Sequence, residues 1–290
     1  MQYVEELRKK VVLGLHNTGA FKSCWPQWKN EIIKTTGTPI DPKALVVEVG
    51  SKLGAIFGST SRDGRGQGTV STGGSGWECL VCLYLNLCLI GTRAVVVKKG
   101  SHVPAPIRDS LTLNYGSSQT NTESDLVALI FPGEITEFDS ESVSDAVVGR
   151  YIGQFEVGVI QCKTNWNDNA QIPMLWDLVY HSSGLRLPGV SIGKGPYSVS
   201  QLKAFSYSFV TVPTNKNVYK PTSMSVLRVS KLSGGVYWGR KSSQGVALSI
   251  SEIFSRNFQS VMSDTSSGWL RRLEENLVHM DEKYSYFDLV

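Results

Sequence analysis

The sequence predicts an α/β fold, a central mixed β-sheet flanked by helices with N- and C-terminal elaborations. Three observations carry that expectation. The first 57 residues set apolar side chains three and four apart, as in MQYVEELRKKVVLGL and ALVVEVGSKLGAIFG, which marks amphipathic helices. A long apolar run, Cys79 to Ile90, is broken only by Asn86 and reads as a buried helix. Short apolar runs bounded by polar residues follow it, and the order helix, strands, helix calls for one sheet with helices packed on it.

Taken in order, the stretch Ser59 to Gly76 is rich in Gly and Ser and reads as a loop, either connecting or binding. A helix is expected from about Gly76 to Ile90, then strands at Thr92–Lys98, LTLNYG, Ser124–Phe131 and Tyr151–Lys163. The acidic insert GEITEFDSESVSDAVVG is expected as a surface excursion with a short helix. After Lys163 come a polar turn and a short helix over IPMLWDLVYHSSG. Beyond it lie strand-like SYSFVTVP and SMSVLRVSKL, the loop SGGVYWGRKSSQG and a helical tail from about Ser251 to Met280. No shift in composition marks a boundary, so residues 1–290 are expected as one domain: a helical region over 1–75, a core over 76–182 and an elaboration over 183–290.

The chain has 290 residues, 41% of them hydrophobic, which suffices for a sizeable core. Its longest apolar run is well short of the roughly 20 residues a membrane helix needs. The N-terminus mixes charge with apolar residues and lacks the apolar stretch of a secretory leader, so a cytoplasmic location is the default. Five cysteines make an odd count, four of them in apolar segments, and disulfides are not expected. Cys79-x-x-Cys82 lacks the second Cys or His pair of a zinc site. A net charge of +4 permits a polyanionic partner without demanding one.

The stretch GVIQCKTNWND, residues 158 to 168, ends an apolar strand with an amide and an ammonium. Strand side chains alternate, so Gln161 and Lys163 share a face that must look onto a cleft or solvent, while Ile160 and Cys162 point the other way. Asp125 opens another apolar strand. Laid side by side, the two strands would gather a carboxylate, an amide oxygen and an ammonium at one end of the sheet. Phosphodiester hydrolysis asks for that set: an oxygen-ligated Mg²⁺ neutralises phosphate charge and supplies hydroxide, and a lysine orients the water. Asp125, the Gln161 side chain and the Cys162 carbonyl are the expected Mg²⁺ ligands, with Lys163 the catalytic lysine.

These residues resemble the PD-(D/E)XK superfamily, which includes type II restriction endonucleases, resolvases and repair nucleases. The resemblance covers residues 76 to 182 and departs in two ways. Gln161 stands where the second carboxylate is usual, as in Mrr-type domains, and the spacing from Asp125 to Gln161 is long. It implies a glutamate on the preceding helix that reaches the metal, and Glu78 stands at the corresponding place. A carboxylate in a helix's first turn is also favoured by the helix dipole alone. Further implied are a Mg²⁺-dependent double-stranded DNA endonuclease of type II restriction character and, from two-fold cutting, a homodimer. The alternatives are a repair or junction nuclease, or an inactive DNA-binding protein with a degenerate nuclease fold.

Candidate DNA contacts are Arg62, Arg65 and Gln67 in the Gly-rich stretch, Asn165, Asn167 and Asn169 just after Lys163, and Arg240 with Lys241. A competing G-x-S-x-G pattern at Gly189–Gly193 suggests a serine hydrolase. Pro188 before it and Pro196 after it leave no room for the strand-turn-helix such a nucleophile needs.

Overall fold

A computed structural model describes residues 2–60, 68–98, 100–121, 124–133, 135–163, 189–211, 222–224, 227, 237–238, 253–263 and 268–289. Helices α1 (Gln2–His16) and α2 (Gly19–Thr36) bury Val4, Leu7, Val11, Val12 and Leu15, and Phe21, Trp25, Trp28 and Ile32, the three- and four-residue spacing of the sequence. The short α3 (Pro42–Ala44), a π-helical turn (Leu45–Val49) and α4 (Gly50–Ser59) complete the N-terminal layer.

Helix α5 (Gly68–Cys88) is the spine. It begins eight residues before the expected Gly76, because the Gly- and Ser-rich stretch continues the helix from Gly68. The close packing of Gly76 on the Trp28 and Phe57 rings shows the tertiary contact that outweighs glycine's poor helix propensity. From Cys79 to Ile90 every side chain is buried, as expected of a helix apolar on all sides. Asn86, the polar exception, bonds to the neighbouring backbone. Its Nδ2 donates to the carbonyls of Val96 (2.7 Å) and Cys82 (2.9 Å), and its Oδ1 accepts from the Val96 amide (3.1 Å). The fully buried guanidinium of Arg8 donates to the Asn86 and Thr92 carbonyls and to Glu5, tying α1 to the same corner.

The main sheet contains β1 (Ala94–Val97), β4 (Leu126–Ile130), β5 (Glu156–Lys163), β7 (Ala204–Thr211) and β8 (Tyr237–Trp238), adjacent in that order. The first three form an antiparallel meander; β7 and β8 then run parallel to β5. Strands β1 and β4 are apolar throughout and buried, consistent with cover on both faces. The expected strands were overlong. Thr92, Arg93 and Lys98 flank β1, and residues 151–155 form a 3₁₀ turn (Ile152–Gln154) rather than strand.

A second, unexpected antiparallel sheet pairs β3 (Ser118–Asn121) with β2 (Thr112–Tyr115) and β2 with β6 (Val190–Ile192). Between β1 and β2 lies α6 (Ala105–Ser110). The acidic insert holds a 3₁₀ turn at Thr136–Asp139 and α7 (Asp145–Arg150), in line with expectation.

Where SMSVLRVSKL is described, the Leu227 amide bonds the Ser223 carbonyl four residues back, a helical turn in place of the expected strand. The C-terminal tail is helical but interrupted, with helix at 253–257, then α8 (Gln259–Met262) and α9 (Trp269–Leu277). Asn257 lies against β5 and β7: it donates to Ser208 and accepts from Ser206, and a β-carbon at Gly158 would overlap its amide oxygen. The last residues return to α2, where Asp288 accepts from Trp25 Nε1 (2.7 Å) and pairs with Lys29 (3.1 Å). One buried apolar cluster runs from Val4 to Leu289.

Candidate active site

The meander brings the chemistry together. Leu126 pairs with Ile160, so the residues one step beyond, Asp125 and Gln161, meet across the ends of β4 and β5. Val97 pairs with Val127, which carries Lys98, the residue after β1, to the same end of the sheet. Three adjacent strands therefore deliver Lys98, Asp125 and the pair Gln161 and Lys163 to one rim.

Three donors converge on one oxygen of Asp125. Its Oδ2 accepts from Gln161 Nε2 (2.5 Å) and the Cys162 amide (2.7 Å), with Lys163 Nζ 3.6 Å away. Along the other flank, Lys98 Nζ lies 2.8 Å from Glu78 Oε2. All four charged side chains are largely withdrawn from solvent: Lys163 is 10%, Asp125 13%, Lys98 19% and Glu78 22% exposed. Gln161 is fully buried, which corrects the expectation that it looks onto a cleft or solvent; its Nε2 donates to Asp125 inside the protein instead.

Burial pushes the Asp125 carboxyl up strongly. Lys163 and the Cys162 amide pull it down, the Glu78 charge pushes it further up, and the result is about 7. Burial disfavours the Lys98 ammonium, but the bond to Glu78 outweighs it and raises the lysine's pKa. The Cys162 thiol is buried and held well above its ordinary value, so it stays a neutral thiol. Its backbone carbonyl is the part of Cys162 relevant to a cation. In a strand, N–H and C=O of one residue point to the same side, and the Cys162 N–H already points at Asp125.

Glu78 was expected to open its helix; it stands ten residues in from Gly68. Stabilisation of a first-turn carboxylate by the helix dipole therefore does not account for it, since that effect fades within the first turn. What accounts for its place is the rim itself: Glu78 bonds Lys98, and its charge is felt at Asp125 and Cys162.

Among the described residues no three His, Cys, Asp or Glu side chains gather as a metal cluster. The oxygen donors at the rim are two carboxylates, an amide and a main-chain carbonyl, a hard set that suits Mg²⁺ better than zinc. Asp125 is the gauge of fit: with Lys163 beside it, burial still raises its carboxyl to about 7, so a cation at its oxygen would favour the ionised form. Its Oδ1 receives none of the three donors above. The residues fit a divalent cation.

Sequence reasoning missed Lys98. The signal was a lysine pair, Lys98-Lys99, closing an apolar strand just as Lys163 closes β5. The DNA-contact candidates Arg62, Arg65, Gln67, Asn165, Asn167, Asn169, Arg240 and Lys241 lie outside the described residues, as does the short helix expected over 172–184. Ser191 of the G-x-S-x-G pattern lies exposed in the middle of β6 and accepts from Asn114 Nδ2, and no helix follows it. It is no nucleophile elbow.

Compared with known proteins, the chain matches no family model and no curated relative. Among the described residues no helix is long and apolar enough to cross a membrane.

Proposed function

We propose that this chain is a Mg²⁺-dependent endonuclease of double-stranded DNA, of the type II restriction kind, acting as a homodimer in the cytoplasm. The observation that carries the reading is the bonded trio Asp125, Gln161 and Lys163 at the end of two antiparallel strands, with Glu78 on the neighbouring helix.

The Asp125 and Glu78 carboxylates, the Gln161 amide oxygen and the Cys162 carbonyl would hold Mg²⁺. The ion would supply charge to the scissile phosphate and acidify the attacking water. Gln161 and the Cys162 amide fix the Asp125 carboxylate by holding one oxygen, so that the other keeps a constant direction. Lys163, tethered near the same carboxylate, is placed to orient the incoming water and to balance the charge that builds on the phosphate. Burial of all these groups keeps bulk water from screening them.

The test is purified wild type and Lys163→Ala incubated with plasmid and phage DNA, methylated and unmethylated, with Mg²⁺ and with EDTA. Discrete Mg²⁺-dependent fragments from wild type alone support the reading. No cleavage by folded wild type under any of these conditions refutes it and favours a DNA-binding protein in which Gln161, committed to bonding Asp125, marks a lost site.

A further inference from the structure

We propose that Lys98 is a built-in counter-cation for Glu78 that yields its place to the divalent ion and then turns to a DNA phosphate, a role that rests on the nuclease reading above. The bond from Lys98 to Glu78, at 2.8 Å, is the tighter of the two ion pairs at the rim; that between Lys163 and Asp125 is 3.6 Å. Without a metal, two withdrawn carboxylates need two positive charges, because an unpaired charge so placed is strongly unfavourable. Lys98 and Lys163 meet that need, and the four groups sum to zero.

A divalent cation between Asp125 and Glu78 changes the balance. The ion repels an ammonium bonded to the same carboxylate, and a lysine's flexible four-carbon stem lets the head swing away. Lys98 has somewhere to go. It follows the last residue of β1, its side chain is one-fifth exposed, and it stands on the strand next to Asp125, at the rim where a scissile phosphate would lie. The polyanion is the ligand whose charge an ammonium released there would meet. Lys98 is thus a positioning residue in the metal-free protein and a phosphate contact once the ion is bound.

The experiment uses Mn²⁺, titrated without DNA and followed by electron paramagnetic resonance, on wild type, Lys98→Met, Glu78→Gln, the double variant and Asp125→Asn. Anisotropy of a labelled duplex in Ca²⁺ follows phosphate contact, and thermal melts confirm that each variant is folded. Lys98→Met is expected to bind Mn²⁺ roughly tenfold tighter than wild type, since the ion no longer displaces a resident charge. It should bind the duplex several-fold more weakly. In the Glu78→Gln background the same substitution should leave Mn²⁺ affinity unchanged, because the cycle isolates the pair. Lys98→Arg, which keeps the charge, guards against loss of folding and should bind Mn²⁺ like wild type.

Equal or weaker Mn²⁺ binding by Lys98→Met overturns the proposal, as does an equal gain in the Glu78→Gln background. If wild type binds Mn²⁺ and Asp125→Asn does not while Lys98→Met matches wild type, the metal site stands and the role of Lys98 falls. Wild type that takes up no Mn²⁺ overturns both.

Discussion

Replacing Asp125 by Asn should stabilise the protein, and by an amount that depends on pH. In the folded chain the carboxyl titrates near 7 against an ordinary value of 3.8, raised by burial and by Glu78 despite Lys163. A carboxyl held this way binds its proton more tightly folded than unfolded. Its contribution to stability is therefore complete below about pH 4 and is lost as pH rises through about 7. At about 1.4 kcal/mol per tenfold change in proton affinity, the raised carboxyl costs the wild type about 4 kcal/mol at pH 8, where it is ionised, and about 2 kcal/mol at pH 5, where folding must take up a proton. Asn is isosteric, carries no charge, and its oxygen can accept the same bonds from Gln161 and Cys162. Urea unfolding of both proteins in EDTA should give Asp125→Asn the higher midpoint at pH 8, with the gap roughly halved at pH 5. Mg²⁺ at pH 8 should raise the midpoint of wild type alone, since an ion that binds only the folded state stabilises it by mass action. A gap of the same size at both pH values, or a less stable variant at pH 8, would refute the account of a carboxylate raised by its burial.

Lys163→Met should lower the cleavage rate by about 10²–10⁴-fold while leaving duplex binding in Ca²⁺ nearly intact, as single-turnover kinetics and anisotropy would show. Asn86→Leu strands both main-chain groups of Val96 next to the rim, so a loss of about 2–4 kcal/mol is expected in chemical unfolding. Gly158→Ala places a methyl group into the Asn257 amide and should cost about 1–3 kcal/mol, with the C-terminal helical turn at 253–257 exchanging its amide hydrogens faster. Trp25→Phe keeps the aromatic stack on Phe21 but removes the donor to Asp288; about 1 kcal/mol should go, together with protease resistance of the last residues.

Much of the site could be read from the chain because it depends on strand alternation. Asp125 beginning one apolar strand and Gln161 with Lys163 ending another is a pattern of period two, and the antiparallel register of β4 and β5 joins them. Lys98 escaped because its meaning lies in a non-local pairing: only when β1 lies beside β4 does a lysine after AVVV reach a glutamate twenty residues earlier. The helical stretch Gly68–Gly76 escaped for a different reason. Its composition favours a loop locally, yet the helix runs through it to Gly76, which packs on Trp28 and Phe57. Likewise SSQTN carries no apolar signal, yet it pairs with LTLNY as a hairpin through a tight turn in which Gly116 adopts φ 59°.

Asn86 also decides how this molecule can meet a second copy of itself. Among the described residues β1 is an outer strand of the main sheet, and the outward N–H and C=O of Val96, a rung an incoming strand would use, are already taken by one side chain of the protein's own spine. Strand-to-strand growth through that rung, whether to assemble or to aggregate, would first have to break both Asn86 bonds. Asn86 thus holds β1 beside the rim and at Val96 keeps this border strand from becoming an interface.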